Sequence, residues 1–588
     1  MQYKAESWNL KDILPSHDKI SLDKYIKEIN EEVKDFEAKK IILTEKISPK
    51  ELLAIIKSIE GIKKKVTKLT AYADLWFYTD TKCEEARVLQ NKMNQYAAEV
   101  SNKMLFFSHW FKSLNEETAK KLSRGVPEYT YFLDRIRMFK PYTLTEAEEK
   151  IINIKDVTEK DALNTLYEIM TSAFTYEMNI KGKKVKLNKS EISAYARNKD
   201  KKLREQAYRV ALEKFAENKD VIGEIYKILL NSWKNENLQL RKYKHAMSPR
   251  NLGNNVSDKT IDTMLKVCQE NTQVFQVYFR KKAKLLKEKK LTREHIYAPI
   301  GEEEKNIPYH EAVQLVLDAY ASFSPEIAKL AQKIMQEKHV DARLTDAKRG
   351  GAFCYDLGTE ITPYVLLNYT GKERDVSTMA HELGHGVHDL LSHKQPLLLS
   401  HPPLVLAETA SVFGEMILME RLFSIEKDKK QRQILLAARL DDLYATITRQ
   451  AFFVLFEKQA HQAMEEGATI EELSQLWHKN LQEQFGNSVE VTEHFKHEWL
   501  SVPHIFETPF YCYAYCFGNL LTLALYQMYK EEGKSFVPKY IKFLSYGGSA
   551  EPKQICAELG IDLESKEFWQ KGFDFIKNLV KDLDISPM

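Results

Sequence analysis

The sequence predicts a mostly α-helical protein of two or more lobes, and three observations carry that expectation. At 588 residues the chain exceeds what a single hydrophobic core usually serves. Only 21 glycines and 17 prolines punctuate it, which favours long helices over a loop-rich β protein. Long stretches also repeat apolar residues at three- and four-residue steps, the period of an amphipathic helix.

From Leu22 to Asn115 the text reads as long amphipathic helices, with breaks expected at Ser48-Pro49 and Gly61. Aromatic residues gather at Tyr72, Trp76, Phe77 and Tyr78 and at Phe106, Phe107, Trp110 and Phe111, a spacing that fits helix–helix core packing. After Pro141, Thr145-Glu146-Ala147-Glu148 is a capping box that opens another helix. The period then changes, and residues 175–187 read as a short hairpin turning at Lys181-Gly182-Lys183. A lobe boundary is expected near residue 190, with an N-terminal helical lobe over 1–190 and the remainder over 191–588. Helical text resumes from Ser190 to Arg241 and from Ser257 to Lys290, around a turn-rich stretch at Ser248-Pro249-Arg250-Asn251-Leu252-Gly253.

Arg349-Gly350-Gly351-Ala352-Phe353 reads as a glycine-containing loop. Residues 361–369 follow as a strand, on their β-branched and aromatic content. Two placements stay open for it. At an edge it would offer free backbone groups to an extended peptide; in the core it would have no substrate role.

His381-Glu382-Leu383-Gly384-His385 comes next. Residues four apart on a helix are offset by only about 40°, so His381 and His385 can aim both imidazoles at one ion with Glu382 beside them, a zinc peptidase signature. Val376, Met379, Ala380, Leu383, Val387, Leu390 and Leu391 recur at helical steps, and Asp375 or Ser377 is expected to cap the start. Gly384 and Gly386 are costly in a helix unless another backbone approaches or substrate needs the room.

A catalytic zinc takes three protein ligands and keeps one open position. The stretch from Leu404 to Ile417, after Pro402-Pro403, reads as a helix apolar nearly all round, yet it carries Glu408 and Glu415 seven residues apart on one face. Buried carboxylates need compensation. Zinc would supply it for Glu408, and Glu415 would hydrogen-bond a ligand imidazole; the alternative is that both pair with buried basic groups. The pattern HExxHxxGxxH is excluded, because His388 stands where it needs Gly and Leu391 where it needs His.

A net charge of +3, from 87 basic and 84 acidic groups, argues against a nucleic-acid or anionic-membrane partner. The six cysteines, Cys83, Cys268, Cys354, Cys512, Cys516 and Cys556, form no CxxC pair, so neither a disulfide framework nor a cysteine zinc site is expected. The stretch up to Trp8 lacks an apolar signal core, and no run approaches the roughly 18 apolar residues of a membrane span. A cytoplasmic enzyme is expected, either a monomer or a small homo-oligomer.

The passage Pro363 to His388, Ala407-Glu408-Thr409-Ala410-Ser411, and Pro503-His504 followed by Pro509-Phe510-Tyr511-Cys512-Tyr513-Ala514-Tyr515 closely resemble the oligoendopeptidase F branch of the thimet-oligopeptidase-like zinc peptidases. Trp8-Asn9-Leu10 and Arg241-Lys242-Tyr243 extend the resemblance along nearly the whole chain. It implies a two-lobed helical zincin-type peptidase with a small β-sheet beside the zinc helix, a deep substrate channel, one zinc ion per chain and a catalytic region over 191–588. It also implies hydrolysis of internal bonds in short peptides, folded proteins being excluded. The family further implies that a histidine and tyrosines of the 503–515 segment face the zinc and hold substrate. If a helix starts after Pro509, Tyr511 and Tyr515 share one face and Tyr513 points about 160° away, which makes His504, Tyr511 and Tyr515 the expected residues; the alternative is that the tyrosines are core aromatics. Phe506 and Glu507 depart from the family, whose members often carry tyrosines there.

On this reading zinc lowers the pKa of its water to about 7, while Glu382 takes the proton and passes it to the leaving amine. A zinc carboxypeptidase or aminopeptidase on the same motif and a non-catalytic peptide-binding protein are the rival readings. An intact Glu382 argues against the last.

Overall fold

A computed structural model describes residues 3–15, 18–301 and 306–584; Met1 and Gln2 of the opening stretch lie outside the described residues. The fold is mostly helical. Two compact units form, each from separated stretches of chain: Met1–Lys140, Glu304–Ile425 and Met528–Gly560 in one, Pro141–Glu303, Glu426–Gln527 and Ile561–Met588 in the other.

In the first unit, helices Lys19–Ala38, Pro49–Thr79 and Glu84–Ser113 pack against one another. The expected break at Ser48-Pro49 is present: the Ser48 N–H donates to Glu51 Oε2 at 2.8 Å, and Pro49 opens the helix, where its missing N–H costs nothing. The expected break at Gly61 is absent. Gly61 lies inside Pro49–Thr79, because Ile55, Ile56, Ile59 and Ile62 are all buried and their shared face carries the helix through. The aromatic groups do pack as core, with Phe107 and Phe111 buried and Phe36 5.0 Å from Phe106.

The same core includes Tyr364, Leu366 and Leu357, so the N-terminal helices pack on a small sheet. Strand Tyr364–Leu366 is its middle member, parallel to Val340–Asp341 and antiparallel to Phe353–Tyr355. The two placements left open for residues 361–369 resolve to the core: all three strand residues are buried, and Pro363 stands just before the strand. The edge beside it is Phe353–Tyr355, from the end of the glycine-containing stretch, and three residues are too few to print an alternation in sequence.

In the second unit, Thr145 and Glu148 form the expected capping box of helix Glu146–Thr158. Strands Tyr176–Ile180 and Lys183–Leu187 form the hairpin, joined through Lys181 and Gly182 with φ of +50° and +81°, the two-residue geometry that right-twisted strands favour. The hairpin packs on helix Lys201–Glu217. The expected cut near residue 190 therefore falls within this unit and matches the limits of neither. Ser248–Gly253 forms a short helix opened by Pro249 where turns were expected. Arg241, from the Arg241-Lys242-Tyr243 run, grips Glu149 with both terminal nitrogens at 2.8 and 2.9 Å. All six cysteines are free.

A Cβ at Gly61 would meet no atom within 4 Å. Gly61→Ala should therefore stabilise the protein by about 0.5–1 kcal/mol, read as a higher midpoint of urea denaturation; a lower midpoint would mean the helix is not continuous there.

Candidate active site

Helix Glu373–Ser392 carries His381, Glu382 and His385. Val376, Met379, Ala380, Leu383, Val387 and Leu391 of the stripe read from the sequence are buried, whereas Leu390 is half-buried. Asp375 secures the start from inside the first turn: its Oδ2 accepts from the Thr370 N–H at 2.7 Å and the Lys372 N–H at 3.1 Å. Ser377 lies within the helix and does not cap it.

The one-turn spacing brings the two imidazoles together, with Nε2 atoms 3.2 Å apart. Glu408 Oε2 completes a triangle, 3.3 Å from His381 Nε2 and 3.5 Å from His385 Nε2. Tetrahedral zinc ligands at about 2.0–2.1 Å would stand roughly 3.3–3.4 Å from one another, so the three donors fit that ion and leave a fourth position. Among the described residues, these three make the group whose ligand atoms all lie close enough to share a metal.

Glu408 reaches this place through a break in the expected single helix. Helix Leu404–Ala407 ends, Glu408 takes φ −80° and ψ 0°, and helix Thr409–Ile425 begins. The Thr409 hydroxyl donates to the Leu406 carbonyl at 2.8 Å, while the Ser411 hydroxyl reaches the Glu408 carbonyl at 3.1 Å and Oε2 at 2.8 Å. The Glu408 carbonyl also accepts from the Val412 N–H at 3.1 Å, so the helical ladder resumes at once. A buried tyrosine, Tyr540, donates to the Thr409 carbonyl at 3.0 Å.

Glu415 Oε1 lies 2.5 Å from His381 Nδ1. That bond fixes the ring and turns its other nitrogen toward the triangle. Both carboxylates thus face imidazoles. Gly384 explains how the elements come so close. A Cβ there would stand 2.7 Å from the Ala410 carbonyl oxygen and from Ser411 Cα, so glycine is what admits the neighbouring backbone.

Burial opposes a charged His381, yet the Glu415 hydrogen bond and the charges of Glu415, Glu408 and Glu382 push it up to about 9. Burial pushes His385 down, Glu408 opposing, which keeps a lone pair available for a metal. Glu382 is buried and pushed up to about 7 by that burial, with the His381 charge opposing and the Glu408 and Glu415 charges adding. The Cys354 main-chain N–H, from the edge strand, steadies its carboxylate. His388 is buried and pushed down to about 3 by desolvation, and His393 pairs with Asp356 Oδ1 at 2.9 Å. Both stand outside the ligand triangle.

His504, Tyr511 and Tyr515 belong to the other unit. His504 lies in the short helix Pro503–Glu507, because Pro503 opens a turn that Thr508 closes onto the His504 carbonyl at 3.0 Å. The following helix is Tyr513–Glu532, so Tyr511 precedes it instead of standing on its first turn. The two tyrosine rings nonetheless meet edge-on at 5.2 Å, with His504 6.2 Å from Tyr511 and 6.1 Å from Tyr515. Tyr513 is fully buried and its hydroxyl accepts from Asn254 Nδ2 at 2.8 Å. Phe506 is core, stacked 4.2 Å from Tyr167.

Three contributors escaped sequence reasoning: Cys354 through its main chain, Ser411 as the clamp on Glu408, and Tyr320, whose hydroxyl donates to the Ala380 carbonyl. Only Ser411 carried a signal, three residues after the carboxylate and so on its face of a helix.

The model of peptidase family M3 matches residues 194–575, and that of oligopeptidase F matches 110–176. An oligoendopeptidase F homolog of Borreliella burgdorferi is 29% identical over 535 residues, covering 88% of each chain. One from Lactococcus lactis subsp. lactis is 25% identical over 551 residues, covering 91% of this chain and 90% of its own. The crystal structure of oligoendopeptidase-F from Enterococcus faecium shares the fold with a TM-score of 0.72 at 20% identity, over 96% of this chain and 98% of that one. With its histidine pair and glutamate in one triangle, the chain belongs to peptidase family M3, as a metalloendopeptidase of the oligoendopeptidase F branch.

Proposed function

We propose that the protein is a zinc-dependent oligoendopeptidase that hydrolyses internal bonds of short peptides. The observation that carries this reading is the ligand triangle, with sides of 3.2, 3.3 and 3.5 Å and Glu382 on the same helix. His381, His385 and Glu408 would hold the ion. When bound, zinc supplies a Lewis acid that acidifies water and polarises the scissile carbonyl.

Glu382 takes the proton of the attacking water and returns it to the leaving amine. Its buried setting suits this, since a carboxylate poised near neutrality both accepts and gives up a proton. Glu415 keeps the His381 ring oriented. The edge strand Phe353–Tyr355 has no strand on one side among the described residues, and apart from the Cys354 N–H that Glu382 takes, it offers main-chain groups to an extended peptide. His504, Tyr511 and Tyr515 are assigned as substrate-side donors that stabilise the developing oxyanion. Burial and then the Arg449 charge push His504 down, so its ring donates or accepts as a neutral group. No helix among the described residues is long and apolar enough to cross a membrane. Six free cysteines suit a reducing compartment, and we assign the protein to the cytoplasm.

An endopeptidase should cleave short peptides blocked at both ends and spare compact folded proteins, with products read by mass. Glu382→Gln should keep its zinc and lose nearly all of that turnover. Cleavage only of free-ended peptides would favour an exopeptidase, and a Glu382→Gln enzyme within a few-fold of the parent would remove Glu382 as the base.

Glu408→Gln should weaken zinc retention far more than the same change at Glu420, an exposed residue on Thr409–Ile425 that pairs with Lys530. Equal metal content after dialysis would take Glu408 out of the ligand set. Tyr511→Phe or Tyr515→Phe should lower kcat by about 10²–10³ without loss of zinc or melting temperature, the effect of removing an oxyanion donor. Tyr513→Phe should leave kcat near the parent's, and a uniform mild effect across all three would defeat the assignment.

A further inference from the structure

Tyr511 stands just after a main-chain conformation that L-residues rarely adopt. Phe510 has a φ of +60°, in the left-handed region, although it is neither glycine nor asparagine. A bulky residue stays there only when its surroundings over-determine it.

The surroundings within this unit are specific. The Phe510 N–H donates to Glu457 Oε1 at 2.7 Å. The Phe510 ring is completely buried and lies 4.9 Å from the His461 ring at an interplanar angle of 26°. Arg250 Nε donates to the Pro509 carbonyl at 3.1 Å. Beyond the reversal, the Tyr511 N–H donates to the Thr508 carbonyl at 3.1 Å, and the Ala514 N–H to the Tyr511 carbonyl at 3.0 Å.

Glu457 is the unusual member. It is 1% exposed, on a helix, Arg449–Glu465, whose other buried residues include Phe452, Phe453, Val454, Phe456 and Ala460. A carboxyl among such groups is destabilising unless it is hydrogen-bonded. Burial pushes its pKa well up against the Phe510 N–H and the Arg250 charge, which favours a neutral carboxyl whose carbonyl oxygen accepts. None of the chemistry assigned to the site uses it.

We propose that Glu457 is a positioning residue: by holding the Phe510 N–H it maintains the left-handed turn that sets Tyr511 beside Tyr515 and His504. The functional part of this rests on the proposed role of the two tyrosines as substrate-side donors. Without the acceptor, Phe510 would leave a buried N–H unpaired as well as keep an unfavourable φ. The turn would then relax and re-aim the Tyr511 side chain.

The test compares Glu457→Leu, which keeps the volume and removes the acceptor, with Glu457→Gln, which presents an amide oxygen in the same place. Both are made in the zinc-loaded full chain. We expect Glu457→Leu to lower kcat on a blocked short peptide by about 10², with KM and zinc content little changed, and Glu457→Gln to stay within about threefold of the parent. Adding Tyr511→Phe to Glu457→Leu should cost only a few-fold more, since both changes remove one interaction. Amide hydrogen exchange over residues 508–515 should accelerate in Glu457→Leu alone. Parental kcat together with parental exchange in Glu457→Leu would overturn the proposal. If Tyr511→Phe and Tyr515→Phe prove silent, the donor reading fails by itself, and the exchange rates alone decide whether Glu457 holds the turn. The parent protein gives an arm that no folding defect can obscure: the Phe510 amide should be protected although it lies in no helix or strand, and rapid exchange there would overturn the proposal.

Discussion

Everything at the candidate site depends on two helices meeting backbone to backbone. Gly384 on Glu373–Ser392 touches the main chain of Ala410 and Ser411 on Thr409–Ile425, an approach that any side chain would prevent. Glycine in a helix interior costs about 1 kcal/mol relative to alanine. The return is geometric, because Glu408 lies just before the point of approach and Glu415 just after it. Both carboxylates are thereby brought against the two imidazoles on the facing helix. The Tyr320 hydroxyl anchors the first of these helices at the Ala380 carbonyl, and the Tyr540 hydroxyl anchors the second at the Thr409 carbonyl.

The charges so gathered would repel one another or seek protons if left to themselves. Three carboxylates, Glu382, Glu408 and Glu415, crowd two histidines, and their charges push the His381 pKa up against its own burial. A dication answers the same arrangement more completely, since it takes the imidazole lone pairs and neutralises the excess negative charge. The hydrogen bond from His381 Nδ1 to Glu415 orients the ring in advance, so the ligand geometry does not wait for the ion. Glu382 feels the same charges, and the Cys354 N–H of the edge strand favours its carboxylate form.

The smallest elements carry the most positional information. The sheet has strands of two and three residues, too few to stabilise much, yet it aims the Cys354 N–H at Glu382. Phe510, in the left-handed region, likewise turns the chain just before Tyr511, whose ring lies 5.2 Å from that of Tyr515.

The sequence by itself determined whatever rests on neighbours within a few positions. The histidine pair needs only the helical repeat, the capping boxes at Ser48 and Thr145 need a partner three residues on, and the hairpin needs one two-residue turn. Glu408 was also legible, as a carboxylate in a run too apolar to leave it uncompensated. Tertiary structure alone decided the rest. Pro49–Thr79 runs through Gly61 because a buried isoleucine face outweighs one glycine. The run after Pro403 breaks at Glu408, where the Ser411 hydroxyl and the two imidazoles of the facing helix meet its carboxylate. Tyr364–Leu366 is central because residues far from it in sequence pair on both sides. The turn before Tyr511 is held by Glu457, more than fifty positions earlier, through the Phe510 amide. Local hydrogen bonding has a period that contiguous text records, whereas packing draws partners from distant parts of the chain and leaves no periodic trace in either.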